Sequence, residues 1–118
     1  MFVAKVEKDK YGLNQTHFYL TQGDSCGIIS TPRNEDGSLT PKSYISGCKF
    51  KLMDEEYNIL FQKDLSEYSD GKYLLRLTED ETKGFEVGGY LYEIEYTLFD
   101  GGINTPNQWK WDITPQGV

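Results

Sequence analysis

The chain has 118 residues, with nineteen Asp and Glu against twelve Lys and Arg and a formal net charge of −7. That is the size of one domain. Its cations are too few and too evenly spread for the clustered basic patch that phosphate recognition needs, so nucleic-acid binding is disfavoured. Nine Tyr, six Phe and two Trp sit in short apolar segments punctuated by twelve Gly and four Pro, and this composition points to an all-β sandwich or barrel.

Met1–Val6 reads as a possible edge strand, with residues 1–14 an edge strand or arm of the single domain 1–118. The opening residues lack the apolar core of a signal peptide, and no stretch is long and apolar enough to span a membrane. The expectation is a protein made in a bacterial cytoplasm with no membrane role. Thr16–Leu20 alternates, with Phe18 and Leu20 on one face and His17 and Tyr19 on the other. Gln22-Gly23-Asp24 breaks the run, and Ser25–Thr31 forms the next strand, ending at Pro32. A hairpin between these two strands is the natural expectation, with Gly23 supplying a positive φ.

Arg33–Ser43 is rich in turn formers and long for a connector, which points to a contact loop. Asn34, Glu35, Asp36, Gly37, Ser38, Leu39 and Thr40 are therefore the candidate protein-binding residues. A hairpin follows across Cys48–Phe61. Cys48, Phe50 and Leu52 should face inward from its first strand, and Ile59 and Phe61 from its second. Lys72–Leu77 is a strand with Tyr73, Leu75 and Leu77 on one face. Thr78 and Glu81 then have the spacing of a capping box, which predicts one helical turn near residues 79–83, with Gly84 as terminator.

Gly88–Gly102 has the strongest strand pattern of the chain. Tyr90, Tyr92, Ile94, Tyr96 and Leu98 share an apolar face, and Leu91, Glu93, Glu95, Thr97 and Phe99 share the other. Such a strand belongs in the middle of a sheet. Trp109–Ile113 closes the chain, with Trp109, Trp111 and Ile113 on one face. Seven or eight strands at these spacings predict an immunoglobulin-like antiparallel β-sandwich with at most one short helical turn.

The residues carry no evident catalytic chemistry. One histidine, His17, makes neither a triad nor a metal site. Cys26 and Cys48 form no metal motif and no disulfide framework, and both are expected to be reduced thiols facing inward. The acidic runs Asp54–Glu56 and Glu79–Glu81 do not have calcium-loop spacing. The expectation is a binding protein with no enzyme activity, no metal and no cofactor.

The order of motifs FYLTQGDS, ISGCKFKLMDEEYNILF, DGKYLLRLTEDETKGFEVGGYLYEIEYTLFDGG and NTPNQWKWDI resembles small β-sandwich virion proteins of tailed phages and prophages. It is similar to the N-terminal immunoglobulin-like domain of baseplate upper proteins. The matching positions are Gly23, Asp24, Phe50, Leu77, Thr78, Glu81, Thr82, Gly89, Tyr90, Tyr92, Glu93, Ile94, Asp100, Gly101 and Thr105; Gly23, Asp24, Thr78, Glu81, Thr82, Gly89, Tyr90, Tyr92, Asp100 and Gly101 are the fold-defining ones, and the likeness spans about residues 16–113. It implies a structural or adaptor protein located in the virion, bound to other virion proteins in a symmetric assembly. Contacts are expected from the Arg33–Ser43 loop and an exposed edge strand rather than a pocket. Two alternatives differ in class. An acidic inhibitor of a host enzyme, mimicking nucleic acid, would present its carboxylates as one stripe. A carbohydrate-binding module would expose Trp109, Trp111 or several Tyr on a flat face.

Overall fold

The computed structural model describes residues 2–6, 17–34, 36, 38–67 and 71–115. They form two packed sheets. One contains β1 (Phe2–Val6), β3 (Cys26–Asn34), β7 (Tyr73–Leu77) and β6 (Ser66–Glu67), in the order β1-β3-β7-β6. The other contains β2 (Phe18–Thr21), β9 (Ile103–Thr114), β8 (Gly88–Leu98), β4 (Ile45–Met53) and β5 (Ile59–Asp64), in the order β2-β9-β8-β4-β5. A single helical turn, α1 (Glu79–Lys83), and a 3-10 turn at Lys42–Tyr44 complete the described elements. Two sheets split in this way, with the chain crossing from one to the other at Leu65 between β5 and β6, make an immunoglobulin-like sandwich.

Alternation decides which side chains go inside. Phe50, Leu52, Tyr92, Ile94, Tyr96, Trp111 and Ile113 come from one sheet and Ile28, Tyr73, Leu75 and Leu77 from the other; all are buried. The aromatic rings interlock at the centre. Trp111 lies 5.0 Å from Phe18 and 5.2 Å from Phe50, centroid to centroid, and Tyr92 stands edge-on to Phe18 at 5.1 Å. Each such side chain removed from water contributes about 1.5–3 kcal/mol. Antibody domains bridge the strands equivalent to β3 and β8 with a disulfide. Here Ser30 and Tyr96 take that place with a buried hydrogen bond of 2.5 Å between their hydroxyls.

Several sequence expectations need correction. β2 and β3 do not form a hairpin: β2 runs parallel to β9 in one sheet, while β3 pairs with β1 and β7 in the other. Gly23 still takes a positive φ of 89°, but the turn carries the chain between sheets. β3 does not end at Pro32. It continues to Asn34, because β7 pairs only as far as Ser30 and the Pro32 stretch is paired with β1 instead. The long strand of the sequence stops at Leu98 and turns at residues 99–102 into β9. Nine strands are present among the described residues, the additional one being the two-residue β6.

Ile59 faces solvent rather than the core. A β-bulge between Leu52 and Met53 pairs Leu52 with Phe61 but Met53 with Ile59, which leaves Leu60 as the extra residue and shifts the facing of the strand start. Cys48 is buried as expected, while Cys26 is only partly so. The Trp109 side chain lies outside the described residues.

A candidate binding surface at one end of the sandwich

Strand register places two sets of connections at opposite ends. Leu98 of β8 pairs with Ile45 of β4 at one end, and Gly88 pairs with Ile113 of β9 at the other. The first end gathers the β3–β4 connection, the β8–β9 turn and Gly71 of the β6–β7 connection, which sits beside the Thr40 carbonyl. The second gathers the β2–β3 turn, the β4–β5 turn and α1.

The β3–β4 connection is more ordered than its composition suggests. Asn34 N–H donates to the Ser38 carbonyl at 2.8 Å, and Thr40 N–H to the Pro32 carbonyl at 3.1 Å. Leu39 bridges back to Arg33. Asp36 closes the tip: its carboxylate accepts from the Ser38 backbone N–H at 2.9 Å and from the Ser38 hydroxyl at 2.5 Å. Those hydrogen bonds stabilise the ionised form and hold the Asp36 carboxyl below its ordinary range. The segment is a short hairpin rather than an open loop.

Of the candidate binding residues, Asp36, Ser38 and Leu39 are exposed and Asn34 is half-buried. Thr40 is a correction: only 2 % of it is exposed, and its hydroxyl donates to the Asn34 side chain. Glu35 and Gly37 lie outside the described residues.

Beside this hairpin is a feature that no sequence pattern announced. Phe99 N–H donates to the Tyr44 carbonyl at 2.8 Å, which locks the β8–β9 turn to the start of β4. The two rings pack at 5.4 Å, tilted by 34°, and remain largely in water: Tyr44 is 50 % exposed and Phe99 68 %. Ile103, at 64 % exposure, begins β9 directly after this turn. Asp100 and Gly101 build this turn. The Asp100 carboxylate accepts from Gly102 N–H at 2.8 Å, and Gly101 adopts φ of 86°, a conformation that favours glycine. A signal for Phe99 was present, since it shares the solvent parity of Glu93, Glu95 and Thr97. Its pairing with Tyr44 is non-local and left no trace in the sequence.

Of the four sheet edges, β1, β6, β2 and β5, the last three carry features that discourage strand addition. β6 has two residues and β2 has four. β5 carries the bulge, and Lys63 points inward from it, donating to the Arg76 carbonyl and to Glu81, both at 2.7 Å. Bulges, short edges and inward charges are the devices that discourage strand addition.

The other singled-out residues serve structure. His17 Nε2 lies 2.6 Å from an Asp112 carboxylate oxygen and its ring stacks on Tyr19, which ties β2 to β9. Among the described residues no group of three or more His, Cys, Asp or Glu is placed to hold a metal. Burial pushes the Cys26 thiol up to about 11 and the Cys48 thiol up to about 12, so both are protonated and poorly nucleophilic near neutral pH. Gly23, Asp24, Thr78, Glu81 and Thr82 meet at the α1 end. The Thr78 hydroxyl and the Glu81 carboxylate form the expected capping box, and the buried Thr82 hydroxyl donates to the Asp24 carbonyl at 2.8 Å. Gly84 ends α1, though without left-handed geometry. Gly89 passes so close to Asp112 that a Cβ would meet its carboxylate at 3.2 Å.

No family model and no curated sequence matches the chain. Its fold is shared with solved structures. The Lin-41 filamin domain aligns with a TM-score of 0.56 and 12 % identity, over 94 % of this chain and 91 % of that one. CopC from Methylosinus trichosporium OB3b aligns at 0.53 and 10 % identity, over 86 % and 87 %. Salmonella alpha-2-macroglobulin reacted with methylamine aligns at 0.59 and 12 % identity. That match covers 99 % of this chain but 6 % of the larger protein. Likeness at this identity shows the immunoglobulin-like fold alone.

Proposed function

We propose that the chain is a phage or prophage virion-associated adaptor that binds other virion proteins through the Tyr44–Phe99 end of the sandwich and performs no catalysis. The observation that carries this reading is the exposed aromatic pair itself. Two large rings held in water by a backbone hydrogen bond between distant segments are preorganised anchors, and rigid aromatics are the side chains that dominate protein–protein interfaces. The virion context is supported by the motif resemblance, whose Asp100 and Gly101 form the turn that presents Phe99.

The two alternatives find less support. Trp111 is 1 % exposed, and the exposed Tyr19, Tyr44 and Tyr57 lie on separate elements rather than on one flat sugar-binding face. Glu93 and Glu95 share Lys51, at 3.5 and 2.8 Å, and Glu81 pairs with Lys63. Cations thus interrupt what a nucleic-acid mimic would leave as a continuous acidic stripe.

The test is mass spectrometry of purified particles from a host producing the wild-type chain or the Tyr44→Ser/Phe99→Ser double variant. Wild-type protein should be found in particles and the variant lost from them, at equal intracellular levels. Absence of the wild-type chain from particles overturns the virion reading. Equal incorporation of both overturns the assignment of the surface.

A further inference from the structure

We propose that the end opposite the aromatic pair carries a second docking site, a cleft that takes an apolar side chain from an extended protein segment flanked by lysine or arginine. The cleft has a volume of about 320 Å³ and is lined by Leu52, Leu60, Gly84, Phe85, Glu86 and Tyr90. That volume sits at the lower end of ligand pockets, roughly 300 Å³, and suits one large side chain. Leu52 is its buried floor. The bulge in β5 lifts Leu60 onto its rim.

The walls are fixed in advance. The Gln22 side-chain amide donates to the Phe85 carbonyl at 2.7 Å, the Tyr90 hydroxyl donates to the Glu86 carbonyl at 2.6 Å, and Phe85 packs edge-on against Phe61 at 5.0 Å. A site that need not order itself on binding keeps more of its contact energy as affinity. Leu60 on the rim is about half exposed, as are its chain neighbour Ile59 and Val87, the residue after Glu86.

Charge selects the occupant. Glu86 lines the cleft, and the Glu55 carboxylate lies near Gly89, the residue before Tyr90. Neither has a cation at salt-bridge distance among the described residues, whereas the nearby Lys63 is committed to Glu81 and the Arg76 carbonyl. Lys83 at the end of α1 is the one cation on that segment. A second copy of this chain is a poor occupant. Its projecting ring, Phe99, is followed by Asp100, which would bring a carboxylate toward Glu86. A basic segment meets the opposite sign and would be steered in by it. This site is independent of the aromatic end and stands whether or not that end binds a virion protein.

The test is a two-dimensional nitrogen–proton NMR titration of the full chain with acetyl-Lys-Trp-Lys-amide and, in parallel, acetyl-Glu-Trp-Glu-amide. The cationic peptide should shift the amides of Leu60, Gly84, Phe85, Glu86 and Tyr90. It should bind at least about five-fold more tightly than the anionic one at low salt, with the gap narrowing at high salt. Glu86→Lys should remove that preference, and Leu60→Asp should abolish the shifts while leaving Tm unchanged, since both side chains are exposed. Absence of shifts at millimolar peptide, equal affinity for both peptides, or shifts confined to the Tyr44–Phe99 end would each overturn the proposal.

Discussion

The two ends of this sandwich solve the same problem in opposite shapes. At the aromatic end, Tyr44 and Phe99 project into water on two connections joined by one backbone hydrogen bond. At the α1 end, the apolar surface is recessed into a cleft, and the connections around it are tied by the capping box, Thr82 to Asp24, Gln22 to Phe85 and Lys63 to Glu81. Rigidity therefore has a different source at each end. A projecting ring needs little support beyond its turn, whereas a preformed cavity has to be walled by several elements, here β4, β5 and β8 of one sheet and the segment that follows α1. Changes that loosen the α1 end should be felt in stability, and changes at the aromatic end in binding.

The largest effect falls on what both ends share. Tyr92 sits on β8, 2 % exposed, between Phe18, Phe50 and Trp111. Tyr92→Ala should cost about 3–5 kcal/mol, the range for truncating a large aromatic in a core. Denaturant unfolding measures it, and amide exchange should accelerate at both ends alike. Protection kept at one end would show that the two ends are separate cooperative units.

Next in size is alkaline destabilisation. Burial raises the Cys48 thiol from its ordinary 9.0 to about 12 and Cys26 to about 11. Below pH 9 the folded and unfolded chains hold these protons equally. Above it the unfolded chain releases them while the folded chain keeps them, so stability falls as pH rises, by about 1.4 kcal/mol per pH unit for each such group. Tyr92 and Tyr96, also raised by burial, add to the loss above pH 10. Cys48→Ala should make the decline between pH 9 and about 11 shallower by roughly one proton's worth. An unchanged slope would mean that the thiol is not the group responsible.

The α1 end offers a smaller, local change. Thr78→Ala removes the side-chain acceptor for Glu81 N–H and should cost about 1 kcal/mol. It should weaken peptide binding at the cleft through Gly84–Glu86 while leaving the aromatic end untouched. Loss of binding at both ends would show that they are coupled rather than separate.

The α1 end was also the more legible in the sequence. Thr-x-x-Glu is a local signal, and the capping box formed where its spacing placed it. The inward faces of β4, β7 and β8 followed from strict alternation, because one side of each strand meets a core. What escaped was non-local. β2 joined β9 in parallel because Phe18 and Leu20 fill the core beside Trp111 and Ile113, and no turn signal encodes that choice. The bulge that turned Ile59 outward and built the cleft rim shifts the period by one residue, which reads as noise in a two-residue pattern. Thr40 looked like loop and proved buried, because its own N–H pairs back on Pro32 and its neighbour Leu39 on Arg33. The aromatic pair needed two segments that only the β4–β8 register brings together.

The smallest stability effect separates the ends most sharply. Phe99→Ala removes a ring already 68 % in water, so it has little burial to lose. Its backbone N–H bond to Tyr44 and the Asp100–Gly102 turn do not depend on the side chain. The stability cost should be within about 0.5 kcal/mol, the usual scale for surface substitutions. An interface anchor truncated to alanine, by contrast, costs at least about 2 kcal/mol of binding, more than twenty-fold in affinity. Pull-down of virion proteins with the wild-type and Phe99→Ala chains, read beside their melting temperatures, should show binding lost and Tm held. If Tm falls by several degrees instead, Phe99 is part of the framework, and the aromatic end is a structural brace rather than a surface made to be covered.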